Sequence, residues 1–262
     1  MNVCAINNNP SFTSRNALVR KAQDVCNTVN REFVGVSFSR TYDNAKAMLQ
    51  RKSDIDVNKA LAFREKFNNF LGNFYNKSDK MRSESTQCLS KSNDIVSAIQ
   101  EYFGILKKHG IFNCGQRATL GEIVAKMNGF KDAKKMVIGS VKNNSGEIYD
   151  HAIIVTGMNV PKKISDLTSG ALTDLPFAEL YLKPPKKAIV IDPWMGFADY
   201  ADNAILRYKI DYADKLKGGR EIRFYPWQNK KLADLSDYDI GKLIDNNQNL
   251  LIGSVKKEKG ML

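Results

Sequence analysis

The sequence predicts an α+β protein in which a helical N-terminal region precedes a core made of one helix packed on an antiparallel sheet. Two observations predict this fold class. Up to about residue 108, apolar residues recur at three- and four-residue spacing, which is the period of an amphipathic helix. After Gly110, short apolar runs follow one another between turn-forming residues, and this is typical of strands.

The helical periodicity divides the chain into three parts. We expect a flexible tail over 1–13, a helical region over 14–108 and the core over 109–262. The polar first residues would also suit an address that a specialised secretion system recognises. Helices are predicted near 14–33, 56–76 and 91–108, with the polar segment 76–87 as a linker or exposed loop.

The core begins with a predicted helix over about 114–128. Four strands are predicted to follow, in MVIGSV (136–141), YDHAIIVTG (149–157), AIVIDP (188–193) and REIRFYPW (220–227). The turn-forming residues NNSGE join the first two strands as a hairpin. The long interval 159–187 is interpreted as an insertion over or beside the cleft, where it would shape substrate choice.

Charge and cysteine content limit the function classes. Residues 1–110 carry 17 basic and 10 acidic side chains and the remainder 23 and 18, so the formal net charge of +12 is spread over the chain. Such a surplus indicates either a solvated basic surface or an acidic protein or anionic membrane partner, and not sequence-specific nucleic-acid binding. The four cysteines form no CxxC pair, and only two histidines are present. We therefore expect no metal site, disulfide framework or other cofactor.

Cys114 is the first residue that points to chemistry. It lies in KHGIFNCGQRATLGEIVAKMNG (108–129), at the predicted start of a helix. The first turn of a helix has N–H groups without intrahelical acceptors, and their positive potential favours thiolate over thiol. The same groups can donate to an oxyanion. Cysteine is also a common small core residue, and Cys26, on the apolar face of the first helix, is predicted to be one.

His151 and Asp192 supply the partners that a reactive cysteine needs. His151 lies near the start of an apolar strand, where the period of two places Asp150 on the opposite face and makes it a poor partner. Asp192 follows four apolar residues and precedes a proline, so it should emerge at a strand end with a rigid turn behind it. Each residue alone could be structural, whereas the ordered set of three is much more specific.

The segments NCGQRATL, DHAIIVTG and IDPWMG resemble the Cys, His and Asp boxes of papain-like cysteine enzymes. The resemblance covers about 108–200, and is to the bacterial toxin and type III effector branch, which includes proteases and glutamine deamidases. It implies a papain-like core in which Cys114 attacks an acyl carbon, His151 takes the thiol proton and later activates water, and Asp192 holds the histidine tautomer. It also implies a host-cell protein as substrate and delivery by a specialised secretion system without a cleaved signal peptide.

The oxyanion hole departs from the family pattern. Papain-like proteases carry a glutamine several residues before the cysteine, but here Lys108 and His109 occupy that distance. The backbone N–H of Cys114 is the expected first donor, and Gln116 and Asn113 are the candidates for the second.

Aromatic residues after Asp192 are candidates for the cleft wall. Trp194 is the candidate for substrate binding, and Phe197 and Tyr200 follow it closely. Aromatic residues beside a strand end are also common core residues.

Three functions agree with these residues. The leading hypothesis is an acyl-transfer enzyme that forms a thioester and then cleaves a peptide bond or deamidates a protein glutamine. The second is a non-catalytic basic binding module for an acidic protein or a membrane, in which cysteine and histidine are structural. The third is a transglutaminase with an amine as acceptor. The helical region either binds the target or packs against the core within one domain.

Overall fold

The computed structural model describes residues 10–37, 57–142, 145–161, 182–211, 221–227, 229–253 and 256. The helices are α1 (Pro10–Glu32), α2 (Val57–Lys91), α3 (Ile95–His109), α4 (Cys114–Met127), α5 (Ala201–Asp211), α6 (Lys230–Ala233) and α7 (Asp237–Asn246), followed by a 3-10 turn (Gln248–Leu250). The strands are β1 (Val36–Ser37), β2 (Ile111–Phe112), β3 (Lys134–Lys142), β4 (Ser145–Thr156), β5 (Ile189–Asp192), β6 (Phe197–Tyr200) and β7 (Glu221–Pro226).

Five strands form one antiparallel sheet in the order β6-β5-β4-β3-β7. All four strands predicted from the sequence are present in it, and the α+β class is confirmed. Strand β6 and helix α5 were not predicted, because the segment after Asp192 has neither a long apolar run nor a clear helical period. Strands β1 and β2 pair in parallel as a separate small sheet.

Both faces of the sheet are covered. Helices α1 and α4 pack on one face, where Val25 and Leu120 share a hydrophobic cluster with Ile154 of β4. The same cluster extends to Ile99 of α3. Helix α5 covers the opposite face, where Tyr208 packs with residues of β3, β4 and β7. The N-terminal helices therefore contact the core directly, which is the second of the two arrangements considered for the helical region.

The helical prediction for the first half is confirmed, with one correction. The segment 76–87 is not a linker, because α2 continues through it to Lys91. The inward positions of α2 in and just after this segment are Ser78, Met81, Ser85 and Cys88, which are buried at three- and four-residue spacing. Two of these four are serines, so a search for large apolar residues misses a genuine helical face.

Helix α4 approaches the sheet closely at Gly121. A Cβ atom at this position would lie 2.6 Å from Cδ1 of Ile154 and 2.9 Å from Cγ of Pro193. These distances are too short for real carbon atoms, so any larger residue here would force the side chains of Ile154 and Pro193, or α4 itself, to shift. The close contact fixes the depth at which α4 presents its first turn.

Three expectations lie partly or wholly outside the described residues. Residues 1–9 of the expected tail are not described, and α1 already begins at Pro10. Most of the expected insertion, residues 162–181, is not described either. The hairpin turn falls partly on residues 143–144, although β3 and β4 pair as predicted up to Lys142 and Ser145.

Among the described helices, none has both the length and the apolar character that crossing a bilayer requires.

Candidate active site

Local capping places Cys114 at the start of α4. Helix α3 ends at Gly110, whose φ of 60° is the left-handed conformation that glycine adopts readily. The N-cap of α4 is Asn113, whose side-chain oxygen accepts the N–H of Gln116 at 3.1 Å. In return, Oε1 of Gln116 accepts the N–H of Asn113 at 3.2 Å, which completes a capping box. Cys114 therefore lies half-buried in the first helical turn, as predicted.

His151 lies in β4 at an irregularity of the sheet. Val137 pairs with Ala152 and Gly139 pairs with Ile148, so the single residue between them on β3 faces the three residues 149–151 on β4. Bulges of this kind redirect side chains and are common beside active sites. His151 contacts both layers of the fold, through a hydrogen bond with Cys114 of α4 and an edge-on ring contact with Tyr208 of α5.

Asp192 ends β5 and is fully buried. Its Oδ2 lies 2.7 Å from Nε2 of His151 and accepts the hydroxyl of Tyr208 at 2.9 Å. Its Oδ1 accepts the backbone N–H of Met195 at 3.0 Å. A buried carboxylate needs such donors, because without them its removal from water would be very costly. The sequence predicted the contact with His151, and the structure contains it.

The three predicted residues thus form one hydrogen-bonded chain. Because Asp192 is bonded to Nε2 of His151, the other ring nitrogen, Nδ1, is left for Cys114. Burial alone would lower the pKa of His151, but the hydrogen bonds with Asp192 and Cys114 and the charges of both groups outweigh it. The pKa rises from 6.5 to about 9, so His151 carries a proton near neutral pH. This is the state that pairs with a cysteine thiolate.

Helix α1 holds the turn that follows Asp192. Gln23 accepts the N–H of Ala198 at 2.8 Å and donates to the carbonyl of Gly196 at 3.0 Å. Asn30 donates to the carbonyl of Pro193 at 3.0 Å, and its own side-chain oxygen accepts from Arg117 of α4. These bonds tie the acid-bearing turn to both α1 and the nucleophile helix. Sequence analysis assigned the apolar face of α1 to the core and did not predict that polar residues of α1 hold the turn after Asp192.

Tyr208 is a further site residue that sequence analysis missed. It is fully buried and lies 16 residues after Asp192, on a helix that was not predicted. Its hydroxyl donates to the same carboxylate oxygen that contacts His151. An amphipathic pattern of Ala201, Ala204 and Tyr208 was the available signal, but it is short and two of its three members are small.

A cavity of about 360 Å³ opens beside Cys114 and His151. Its walls come from α2, α3, α4, β3, β4 and the segment after β7, so the helical N-terminal region forms part of the cleft. Among the described lining residues are Ser85, Leu89, Tyr102, Thr119, Lys135 and Trp227. Trp194, the expected cleft residue, is half-buried in the turn after Asp192 and is not among them.

The other two expected aromatic residues lie in the core. Phe197 is buried on the α5 side of the sheet, and Tyr200 packs against the cluster on the opposite side. This agrees with the alternative that aromatic residues here belong to the core: β6 turns back along β5, so residues after the turn pass into the sheet and away from the cleft. Trp227 provides an aromatic wall instead.

The candidates for the second oxyanion donor have an identified structural role. Asn113 and Gln116 bond to each other in the capping box, and both line the cavity. Oε1 of Gln116 accepts in this cap, and its amide nitrogen, which is the donor of the side chain, is the group that could serve an oxyanion. The backbone N–H of Cys114 stays the expected first donor, because a first-turn N–H has no intrahelical acceptor.

Cys26 and Cys88 differ from Cys114 in environment. Both are buried, and burial raises the pKa of each thiol, to about 11 for Cys88. For Cys26 the charge of Asp192 raises the pKa further, and its Sγ donates to the carbonyl of Phe197 at 3.2 Å. Thiols held in the protonated form are poor nucleophiles. Cys26 is a core residue, as predicted.

The second histidine lies outside the cleft. His109 is buried at the end of α3, where its Nε2 lies 2.8 Å from a carboxylate oxygen of Glu84 on α2. This contact joins two helices and is structural. In the described part of the chain, no group of three or more His, Cys, Asp or Glu residues could hold a metal ion.

Comparison with family models, with curated proteins and with solved structures finds no match to this chain. The arguments for its function therefore depend on its own residues and their geometry.

Proposed function

We propose that this protein is a cysteine-dependent hydrolase with a papain-like core, which acts through a thioester on a protein substrate. The observation that carries the proposal is the chain of hydrogen bonds from Cys114 through His151 to the buried Asp192, at the edge of a cavity. The group that Cys114 attacks would be either the carbonyl of a peptide bond or the side-chain amide of a glutamine. Attack on either group forms a thioester with Cys114, through a main-chain acyl group in the first case and a γ-glutamyl group in the second.

In the proposed reaction, the Cys114 thiolate attacks the acyl carbon and forms a C–S bond. The His151 imidazolium then gives its proton to the nitrogen of the leaving amine or ammonia as the C–N bond breaks. Neutral His151 next takes a proton from water, whose oxygen attacks the thioester and releases the acid product and the Cys114 thiolate. Asp192 holds the ring and stabilises its charged form throughout.

Two features of the environment support this chemistry. The first turn of α4 supplies positive potential at Cys114. The raised pKa of His151 keeps the imidazolium populated near neutral pH, so the proton that the leaving group needs is already in place. Neither feature would be required of a core cysteine and a structural histidine in a binding module.

The cellular setting is part of the proposal. The resemblance to secreted toxins and effectors supports delivery into a host cell, with a host protein as the substrate. The formal net charge of +12 supports an acidic protein or anionic membrane surface as a docking partner. We expect such association to weaken as salt concentration rises, which titration of binding against ionic strength would measure.

The test combines active-site labelling with a search for products. Near neutral pH, iodoacetamide should alkylate Cys114 in the folded chain and leave Cys26 and Cys88 unmodified, because among these three described cysteines only Cys114 lies at a helix start beside a histidine. Peptide mass spectrometry would score Cys4, which lies outside the described residues, separately. The protein would then be incubated with a lysate of candidate host cells, and mass spectrometry would identify new chain ends and Gln-to-Glu conversions.

The substitutions have distinct expected effects. Cys114→Ala and His151→Ala should each abolish turnover, whereas Asp192→Ala should leave residual activity. Combining Asp192→Ala with Cys114→Ala should cause no further loss, because the residues act as a unit. Cys88→Ala is the matched control and should retain turnover. Turnover by Cys114→Ala at the wild-type rate would refute the proposal.

A further inference from the structure

Lys135 is an unexpected residue in the wall of the cavity. It is the second residue of β3, and it lines the same cavity as Cys114 and His151. It is half-buried, and even partial removal of an ammonium group from water is costly. None of the proposed catalytic steps uses it.

The position of its amine is well defined. Nζ of Lys135 donates to Oγ1 of Thr119 at 3.1 Å, and that hydroxyl donates to the carbonyl of Gly115 at 3.0 Å. Thr119 lies in α4, more than one helical turn beyond Cys114. The amine of Lys135, which is bonded to Thr119, is therefore displaced from the nucleophile along the axis of α4. A group at this place would meet a neighbouring part of the substrate and not the attacked carbonyl itself.

The backbone of Lys135 is held on both sides. Its N–H donates to Oε2 of the fully buried Glu122 at 3.2 Å. Its carbonyl accepts the N–H of Trp227 at 3.2 Å, which links the lysine to the aromatic wall. The backbone that carries the Lys135 side chain is therefore held in place, as is expected of a substrate-recognition residue.

Lys135 is the charge of the cavity that the proposed catalytic pair leaves over. Among the described residues that line the cavity, none is an aspartate or glutamate, and the proposed Cys114 thiolate and His151 imidazolium balance each other, so Lys135 adds an uncompensated cation to the lining. Burial lowers the pKa of Lys135, although the charges of Glu122 and Cys114 act in the opposite direction. A bound anion would offset the cost of keeping the ammonium charged.

We propose that Lys135 is a specificity-determining residue that binds a carboxylate of the substrate, next to the acyl group that Cys114 attacks. The substrate class is then a protein segment with an acidic group within about one residue of the reacting amide. This inference rests on the proposed function. The carboxylate could belong to an Asp or Glu side chain or to a chain terminus, and both present the same chemistry to the ammonium.

The test uses pairs of small alkylating probes that differ only in charge. Chloroacetyl-aspartate α-amide and chloroacetyl-asparagine α-amide compare a side-chain carboxylate with its amide, and chloroacetylglycine and chloroacetylglycinamide do the same for a terminal carboxylate. Each probe forms a bond from Sγ of Cys114 to its methylene carbon and releases chloride. Rates of modification at Cys114 of the full chain would be measured near neutral pH by peptide mass spectrometry, which separates Cys114 from Cys4.

We expect the anionic member of at least one pair to react about tenfold faster than its neutral partner in the wild-type protein, as a charge-assisted hydrogen bond allows. In Lys135→Met the ratio of the anionic to the neutral rate should fall towards one, because methionine keeps the apolar part of the side chain and lacks the charged ammonium group. Lys134→Met, at the adjacent strand position outside the cavity lining, should keep the wild-type ratio and serves as the matched control. Since the neutral probe of each pair reports thiol reactivity, a general change at Cys114 cancels in the ratio.

The outcomes separate the two proposals. If iodoacetamide does not label Cys114 selectively in the wild type, the proposed function fails. If it does, but neither pair shows an anion preference, or the preference survives in Lys135→Met, the role of Lys135 is refuted while the hydrolase remains. Should Lys135→Met fail to fold, Lys135→Arg should keep the preference and Lys135→Gln should lose it, and equal ratios in these two variants would overturn the inference.

Discussion

The free energy of unfolding should depend on pH through His151. The pKa of its ring is about 9 in the folded protein and 6.5 as the ordinary value that the unfolded chain restores. The folded state therefore binds the proton more tightly. The resulting stabilisation is fully present below about pH 6.5 and is lost as the pH rises through about 9.

The size of this effect follows from the two values. A shift of about 2.5 in pKa, multiplied by about 1.4 kcal/mol for each pKa unit, gives a contribution of about 3.5 kcal/mol, of which about 3 kcal/mol is lost between about pH 6 and about pH 9.5. Urea unfolding followed by circular dichroism between about pH 6 and about pH 9.5 would measure it. His151→Gln should have a much flatter pH dependence over this range, so its difference from the wild type should shrink by about 3 kcal/mol as the pH rises.

A second variant separates the sources of the shift. Cys114→Ser removes the thiol but keeps Asp192 as the partner of His151, so its pH dependence should lie between that of the wild type and that of His151→Gln. If wild type and His151→Gln lost stability in parallel over the whole range, His151 would not be protonated in the folded state near neutral pH. The proton-transfer part of the proposed mechanism would then need another donor.

Two substitutions away from the nucleophile test how the site is held. Gly121→Ala places a methyl group against the side chains of Ile154 and Pro193, so these side chains or α4 must shift, and we expect a loss of about 1–3 kcal/mol of stability together with slower alkylation of Cys114. Gly104→Ala, where no atom lies within 4 Å of the added carbon, is the control and should be neutral or slightly stabilising; equal effects of the two would contradict the close-packing argument. Tyr208→Phe removes one of the hydrogen bonds to Asp192 and should lower kcat far more than it changes KM, at a cost of about 1.5–3 kcal/mol in stability. Unchanged kcat in a stable Tyr208→Phe protein would show that this hydroxyl does not help to position the triad.

The sequence predicted the elements whose signals are local. A cysteine after a capping asparagine, a histidine near the start of an apolar strand and an aspartate between an apolar run and a proline each carry their signal within a few residues. The same reasoning predicted four of the five strands of the large sheet, because the alternation of a strand can be recognised over a few residues. It failed for residues 76–87, where serine takes inward positions and weakens the apolar pattern that periodicity depends on.

What the sequence determined by itself is the identity and order of Cys114, His151 and Asp192 and the type of element that bears each one. The tertiary structure alone decided how these elements meet. The hydroxyl of Tyr208 reaches Asp192, and α1 holds the turn behind that carboxylate. Trp227 and Lys135 line the cavity, whereas the expected Trp194 is not among its described lining residues. Such contacts join side chains that are far apart in sequence, and they depend on strand order, a bulge and the close approach at Gly121. Local periodicity reports which face of an element is buried, but it carries no information about which partner that face will meet.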